Sequence, residues 1–160
     1  MATPTNLPAA ATAGQVYTAA NVNDLRGAFR ILQLFSVVGN TQQTTTSATY
    51  GDVTGLSVTI TPQATSSKIL IISANHLLAS GAVADAGIRF LRDATNIYTS
   101  VNAVLATNTG GSFVSVFLDS PASTSAITYK VQVNRTGGTG TVYSSIATTQ
   151  SNLVVAEISA

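Results

Sequence analysis

Chemistry at neutral pH needs ionisable or nucleophilic side chains held close together, and this chain has few to offer: one histidine, six acids, seven bases and no cysteine in 160 residues. Without Cys there is no disulfide, no thiolate metal site and no thiol nucleophile. His76 lies inside the apolar stretch Lys68 to Leu78, the setting of a packed ring more than of a metal ligand. No serine sits in a G-x-S-x-G elbow, so a serine, histidine and acid relay has no anchor. Asp52, Asp85, Asp93 and Asp119 stand singly, without the spacing of a calcium loop. Gly137, Gly138 and Gly140 imitate a phosphate loop in glycine count alone, since no Lys follows them. Asn134, Arg135 and Thr136 form a glycosylation sequon with no other sign of secretion. The expectation is therefore no catalytic residue, no bound metal and no cofactor. The remaining recognition chemistry is aromatic: Tyr98 and Tyr143, near expected turns, could contact a glycan, with ordinary packing at the rim as the competing reading.

The bulk composition points the same way. Only 8% of the residues are Asp, Glu, Lys or Arg while 45% are hydrophobic, against a usual charged share of about 25%. A formal net charge of +1, spread over single residues, makes no basic stripe for nucleic acid, and nucleic-acid binding is not expected. It also removes the self-repulsion that keeps copies of a chain apart. The Ala-rich start MATPTNLPAAATAGQ lacks the basic region and apolar run of a signal peptide, and no stretch approaches the ~18 apolar residues of a spanning helix. A soluble chain without membrane insertion is the expectation.

Two kinds of element would position these residues. Residues 1–16, with Pro4 and Pro8, read as an extended arm. Thr18 is a candidate N-cap for a short helix in which Val22, Leu25, Phe29 and Leu32 recur at spacings of three, four and three, placing them on one face. That stripe suits either packing on its own domain or docking and assembly; Gly27 weakens the helix and favours a partner.

From Phe35 the period becomes two. Leu56, Val58 and Ile60 alternate with Ser57, Thr59 and Thr61, and Ile127, Tyr129, Val131 and Val133 alternate with polar neighbours. Further strands are expected near 35–39, 46–51, 68–78, 87–92, 96–104, 112–118 and 152–158, with Arg135 to Gly140 as a hairpin turn and Thr141 to Ser145 as its return strand. The spacing predicts an all-β, antiparallel, jelly-roll-like sandwich over residues 34–160, preceded by the arm and helix over residues 1–33. Two strands are apolar on both faces: Ile69 to Ile72, and Phe113 to Leu118. One face fills the core; the other needs a cover, either the N-terminal segment or another subunit, with a long loop lying over central strands as the competing reading. Phe113, Phe117, Ile69 and Ile71 are the interface candidates.

The strings TSATYGDVTGLSVTITPQATSSKILI, FLRDATNIY, FVSVFLDSPASTSAITYKVQVNR and GTVY resemble a Ser/Thr-rich β-domain of bacteriophage virion appendage proteins, over roughly residues 31–160. AGQVYTAANVNDLRG is similar to the segment that precedes such domains. The resemblance implies a virion structural protein assembled in the host cytoplasm: a homotrimeric short fibre or knob held to another virion protein through residues 1–33, its sandwich facing outward for attachment to host cell-surface glycan. The absence of a long shaft favours a short appendage over a long tail fibre. A capsid decoration or cement protein is the alternative, and a free carbohydrate-binding module a more distant one.

Overall fold

The computed structural model describes residues 31–145 and 149–159, without the side chains of residues 101 and 102. Ten strands form: β1 (Ile31–Gly39), β2 (Gln43–Thr45), β3 (Gly51–Ile60), β4 (Lys68–Ser80), β5 (Ala84–Arg92), β6 (Thr95–Leu105), β7 (Gly110–Asp119), β8 (Ile127–Gly138), β9 (Thr141–Ser144) and β10 (Ser151–Ile158). All strand pairings are antiparallel.

β4 is the spine of a six-stranded sheet. One of its edges pairs with β7 from Ile69↔Asp119 to Leu78↔Gly110. Its other edge pairs first with β10 and then, from Leu77, with β9. β1 extends the sheet beyond β10, and β2 extends it beyond β9. The second sheet runs β3-β8-β5-β6. Stripped of the short β2 and β9, the two sheets are β1-β10-β4-β7 and β3-β8-β5-β6, the eight-stranded jelly roll in which the chain passes between sheets at every step except the β5–β6 hairpin. The all-β antiparallel sandwich expected from the period-two pattern is the observed fold. The helix expected around Val22, Leu25 and Phe29 lies outside the described residues.

Inward residues follow the alternation. Leu56, Val58 and Ile60 are buried while Ser57 and Thr59 are exposed, and Ile69, Ile71, Leu77, Phe90, Tyr129, Val131, Leu153 and Val155 close the core between the sheets. Phe90, Tyr98 and Phe117 extend that core as an aromatic series with ring centroids 5.1 and 5.5 Å apart. Two polar knots are buried, one joining the two sheets and one tying the six-stranded sheet to the β3–β4 connection. Asp119 on β7 accepts from Arg92 Nη1 on β5 at 3.0 and 3.1 Å and from the Tyr129 hydroxyl on β8 at 2.7 Å. The fully buried Glu157 accepts from Gln33 Nε2 at 2.7 Å and from the Gln63 amide at 2.6 Å. Each buried carboxylate thus has the partners that burial demands.

Three expectations are corrected here. Leu32, assigned to the helical stripe, is a strand residue: it lies in β1, which pairs with β10, so residues 31–33 are strand and not helix. The strand expected at 46–51 is a connection between β2 and β3, where short hydroxyl side chains bind backbone two residues on, Thr45 Oγ1 accepting from the Ser47 amide and Ser47 Oγ from the Thr49 amide. The expected β8–β9 hairpin does not form. β8 continues through Gly138, whose φ is +72°, and the Thr139 and Gly140 amides both donate to the Val83 carbonyl. The chain is thereby turned so that β9 crosses to the other sheet, pairing with β4 and β2.

Candidate functional site

In an antiparallel ladder, paired residues project to the same side. Reading the six-stranded sheet across its strands gives its outer rows directly. Leu118, Leu70, Ala156 and Leu34 are in register, as are Val116, Ile72, Val154 and Ser36, and Val114, Ala74, Asn152 and Val38. Ten of these twelve positions carry Leu, Ile, Val or Ala, Ser36 and Asn152 being the exceptions. They are most accessible on the outer strands β7 and β1, where Val114 is 66% exposed, Leu34 60%, Val116 54% and Leu118 53%, and half-buried at Leu70 and Ile72 on β4. Four adjacent strands therefore carry a continuous apolar outer face, far from the singly scattered surface hydrophobes of an ordinary domain.

The other sheet shows what a solvated face looks like in this same chain. Across β3, β8 and β5 the outward groups are Asp52, Gln132 and Arg89 in one row and Ser57, Lys130 and the nearly buried Leu91 in the next. The charged and amide groups pair with one another: Gln132 Nε2 and Lys130 Nζ donate to Asp52, Arg89 Nε donates to Gln132 Oε1 at 2.7 Å, and the Arg89 guanidinium lies 4.3 Å above the Tyr50 ring. The hydrogen bond from Gln132, aided by Lys130 and opposed by partial desolvation, holds the Asp52 carboxyl below its usual pKa. One sheet is wet outside and the other is not.

The interface candidates sit differently from their assignment. Ile69 and Ile71 are wholly buried between the sheets, and Phe113 and Phe117 pack against that core. Both strands are two-sided, as expected, but the outward members are their neighbours, Leu70 and Ile72 on β4 and Val114, Val116 and Leu118 on β7. The clue to the parity is Lys68, paired with the outward Ile158 and in step with Leu70 and Ile72; buried Ser73 and Asn75 on the opposite parity mask it. Tyr98 is likewise no sugar platform, since its ring is stacked between Phe90 and Phe117. Tyr143 is half-buried on β9, beside Leu78 and Thr44. His76 has a buried Nδ1 without a hydrogen-bond partner, and no group of three or more His, Asp or Glu residues lies together among the described residues.

A second feature is concave. Where β3 is irregular between Asp52 and Ser57, a cavity of about 320 Å³ opens between β2 and the β3–β8 pair, lined by Gln43, Thr45, Thr49, Asp52 and Ser144 over Val133 and Val142.

No protein-family model matches the chain, and no curated protein matches its sequence. Its fold is similar to several solved structures of infectious bursal disease virus. The structure of the infectious bursal disease virus Gt strain superposes with a TM-score of 0.50 at 14% identity, covering 80% of this chain and 38% of that one. A T13 particle of the same virus gives 0.48 at 12% identity, over 79% and 37%, and its VP2 subviral particle 0.42 at 17%, over 80% and 37%. The chain spans less than two fifths of the length of these matches, and the likeness is one of fold.

Proposed function

We propose that this chain is a structural component of a virus particle, and that it assembles through the apolar outer face of its six-stranded sheet. The observation that carries the reading is that face: a sheet side built from Leu, Ile, Val and Ala in a chain of net charge +1 is stable in water only when another surface covers it. Jelly rolls are a recurrent architecture of viral shells, and the fold likeness to an infectious bursal disease virus structure agrees with it. The finer reading is a bacteriophage appendage, a homotrimeric short fibre or knob held to another virion protein through residues 1–33, with the polar sheet turned outward toward host cell-surface glycan. The fold likeness also favours a second reading, a decoration protein that lays the same apolar face across neighbouring shell subunits.

A density map of the particle that carries the chain tests the proposal. The expected result is a face of Leu34, Leu70, Val116 and Leu118 buried against protein, by threefold-related copies in the appendage and by shell subunits in the decoration protein. Absence of the chain from the particle, or that face in contact with solvent, overturns it.

A further inference from the structure

We infer that two copies of this chain join along the free edge of β7, strand to antiparallel strand and centred on Ser115. β7 pairs with β4 on one side, and no strand among the described residues meets its other edge. Such an edge is a row of unpaired N–H and C=O groups ready for another strand, and folded proteins blunt it by shortness, irregular register, charge or proline. The remaining edge strands of the two sheets are blunted in these ways. β2 has three residues, the ladders of β1, β3 and β6 are irregular, and β3 also carries Asp52. β7 is different: its ten residues run in unbroken register with β4, with no proline and no charge before the terminal Asp119.

The sequence of the edge names its occupant. Residues 113–117 read Phe-Val-Ser-Val-Phe, the same in both directions. In a twofold contact residue i meets j while j meets i, so an antiparallel pair centred on Ser115 sets Phe113 opposite Phe117 and Val114 opposite Val116, each on its own side of the sheet. Centred on Val114 instead, the pair would set Phe113 against Ser115 and Val116 against Ser112. The side chains are open to a copy: Val114 and Val116 are exposed, and Phe113 and Phe117, although turned toward the core, stay half-buried at the open edge. Such pairing carries the apolar outer face from four strands across to eight. The contact lies at the edge of the sheet and not on its face, so it stands or falls apart from the assembly reading given above.

Disulfide trapping tests the register, and a chain without native cysteine gives no background. Full chains carrying Val114→Cys and Val116→Cys, one of them tagged, are co-expressed, purified together and oxidised. Opposite positions in an antiparallel pair have Cα atoms about 4.5–5.5 Å apart, within reach of a disulfide, whereas the two copies of position 114 lie on a diagonal at about 7–8 Å, beyond it. The mixed pair should therefore cross-link into a dimer, and each variant alone only weakly. Ser112→Cys with Leu118→Cys should repeat the pattern. Isotope-filtered NMR on a mixture of labelled and unlabelled wild-type chains reads the same contact without substitution, as proximity between the Val114 methyls of one copy and the Val116 methyls of the other. Equal cross-linking in every combination, no cross-link in either mixed pair, or no inter-copy contact between those methyls would overturn the inference. Where the wild type still sediments as an oligomer, that failure leaves the reading of the sheet face intact.

Discussion

At the scale of single residues, the few ionisable groups that the sandwich buries are sensitive points, because removing one partner leaves the other buried and unpaired. Asp119 ties β7 to β5 and β8 through Arg92 and Tyr129, so Asp119→Asn should leave the Arg92 charge without its partner. A loss of about 2–3 kcal/mol is expected, below the value for a fully buried pair because Arg92 is 30% exposed; chemical denaturation measures it. Tyr129 adds a pH dependence. Burial, together with its bond to Asp119, raises the phenol's pKa far above the usual value. The folded chain therefore holds this proton after the unfolded chain has released it near pH 10. The contribution is complete below that pH and is lost as pH rises, by about 1.4 kcal/mol per unit above it. Melting temperatures recorded through the alkaline range should fall more steeply for the wild type than for Tyr129→Phe.

At the scale of elements, the two sides of β7 should respond oppositely. Phe117→Ala removes a ring tilted against Tyr98 and packed on the core and should cost about 2–4 kcal/mol; Val116→Asp, one residue away and exposed, should change monomer stability little. Parallel urea titrations separate the two. The same strand shows how far sequence reading reaches. Period-two runs place β3, β4, β7, β8 and β10 to within two or three residues at most ends, because each has one face that must be buried. Which face is outward was not legible on β4 and β7, where both are apolar and buried Ser73 and Asn75 contradict the usual polarity. The β9 crossover was also hidden: Thr-Gly-Gly-Thr-Gly spells a hairpin locally, and only the Val83 carbonyl, some 55 residues earlier by chain number, redirects it. The boundary at 34 has a measurable consequence. A chain starting at Ile31 should keep its β-type circular dichroism, whereas one starting at Leu34 loses Gln33 from Glu157 and Thr61 and should be less stable by about 1–3 kcal/mol.

At the scale of the whole molecule, the decisive property is asymmetry between sheets. The outside of β3-β8-β5 is a mesh of paired polar groups, and the outside of β7-β4-β10-β1 is apolar across four strands. Such a molecule has one side suited to water and one suited to protein, which is the demand of a building block in a shell or an appendage. The cavity beside Asp52 was invisible in sequence for a related reason: its lining comes from β2, β3, β8 and β9, distant in the chain and brought together only by the jelly-roll wrap.

Sedimentation velocity of the purified chain, beside a variant carrying both Val116→Asp and Leu118→Asp, tests the central claim most directly. An unpaired charge placed in an apolar contact is strongly unfavourable, yet on an exposed strand face it leaves the monomer intact. The wild type should sediment as an oligomer at micromolar concentration and the variant as a monomer with an unchanged circular dichroism spectrum. A monomeric wild type, or a variant that assembles as well as the wild type, would contradict an assembly face on this sheet.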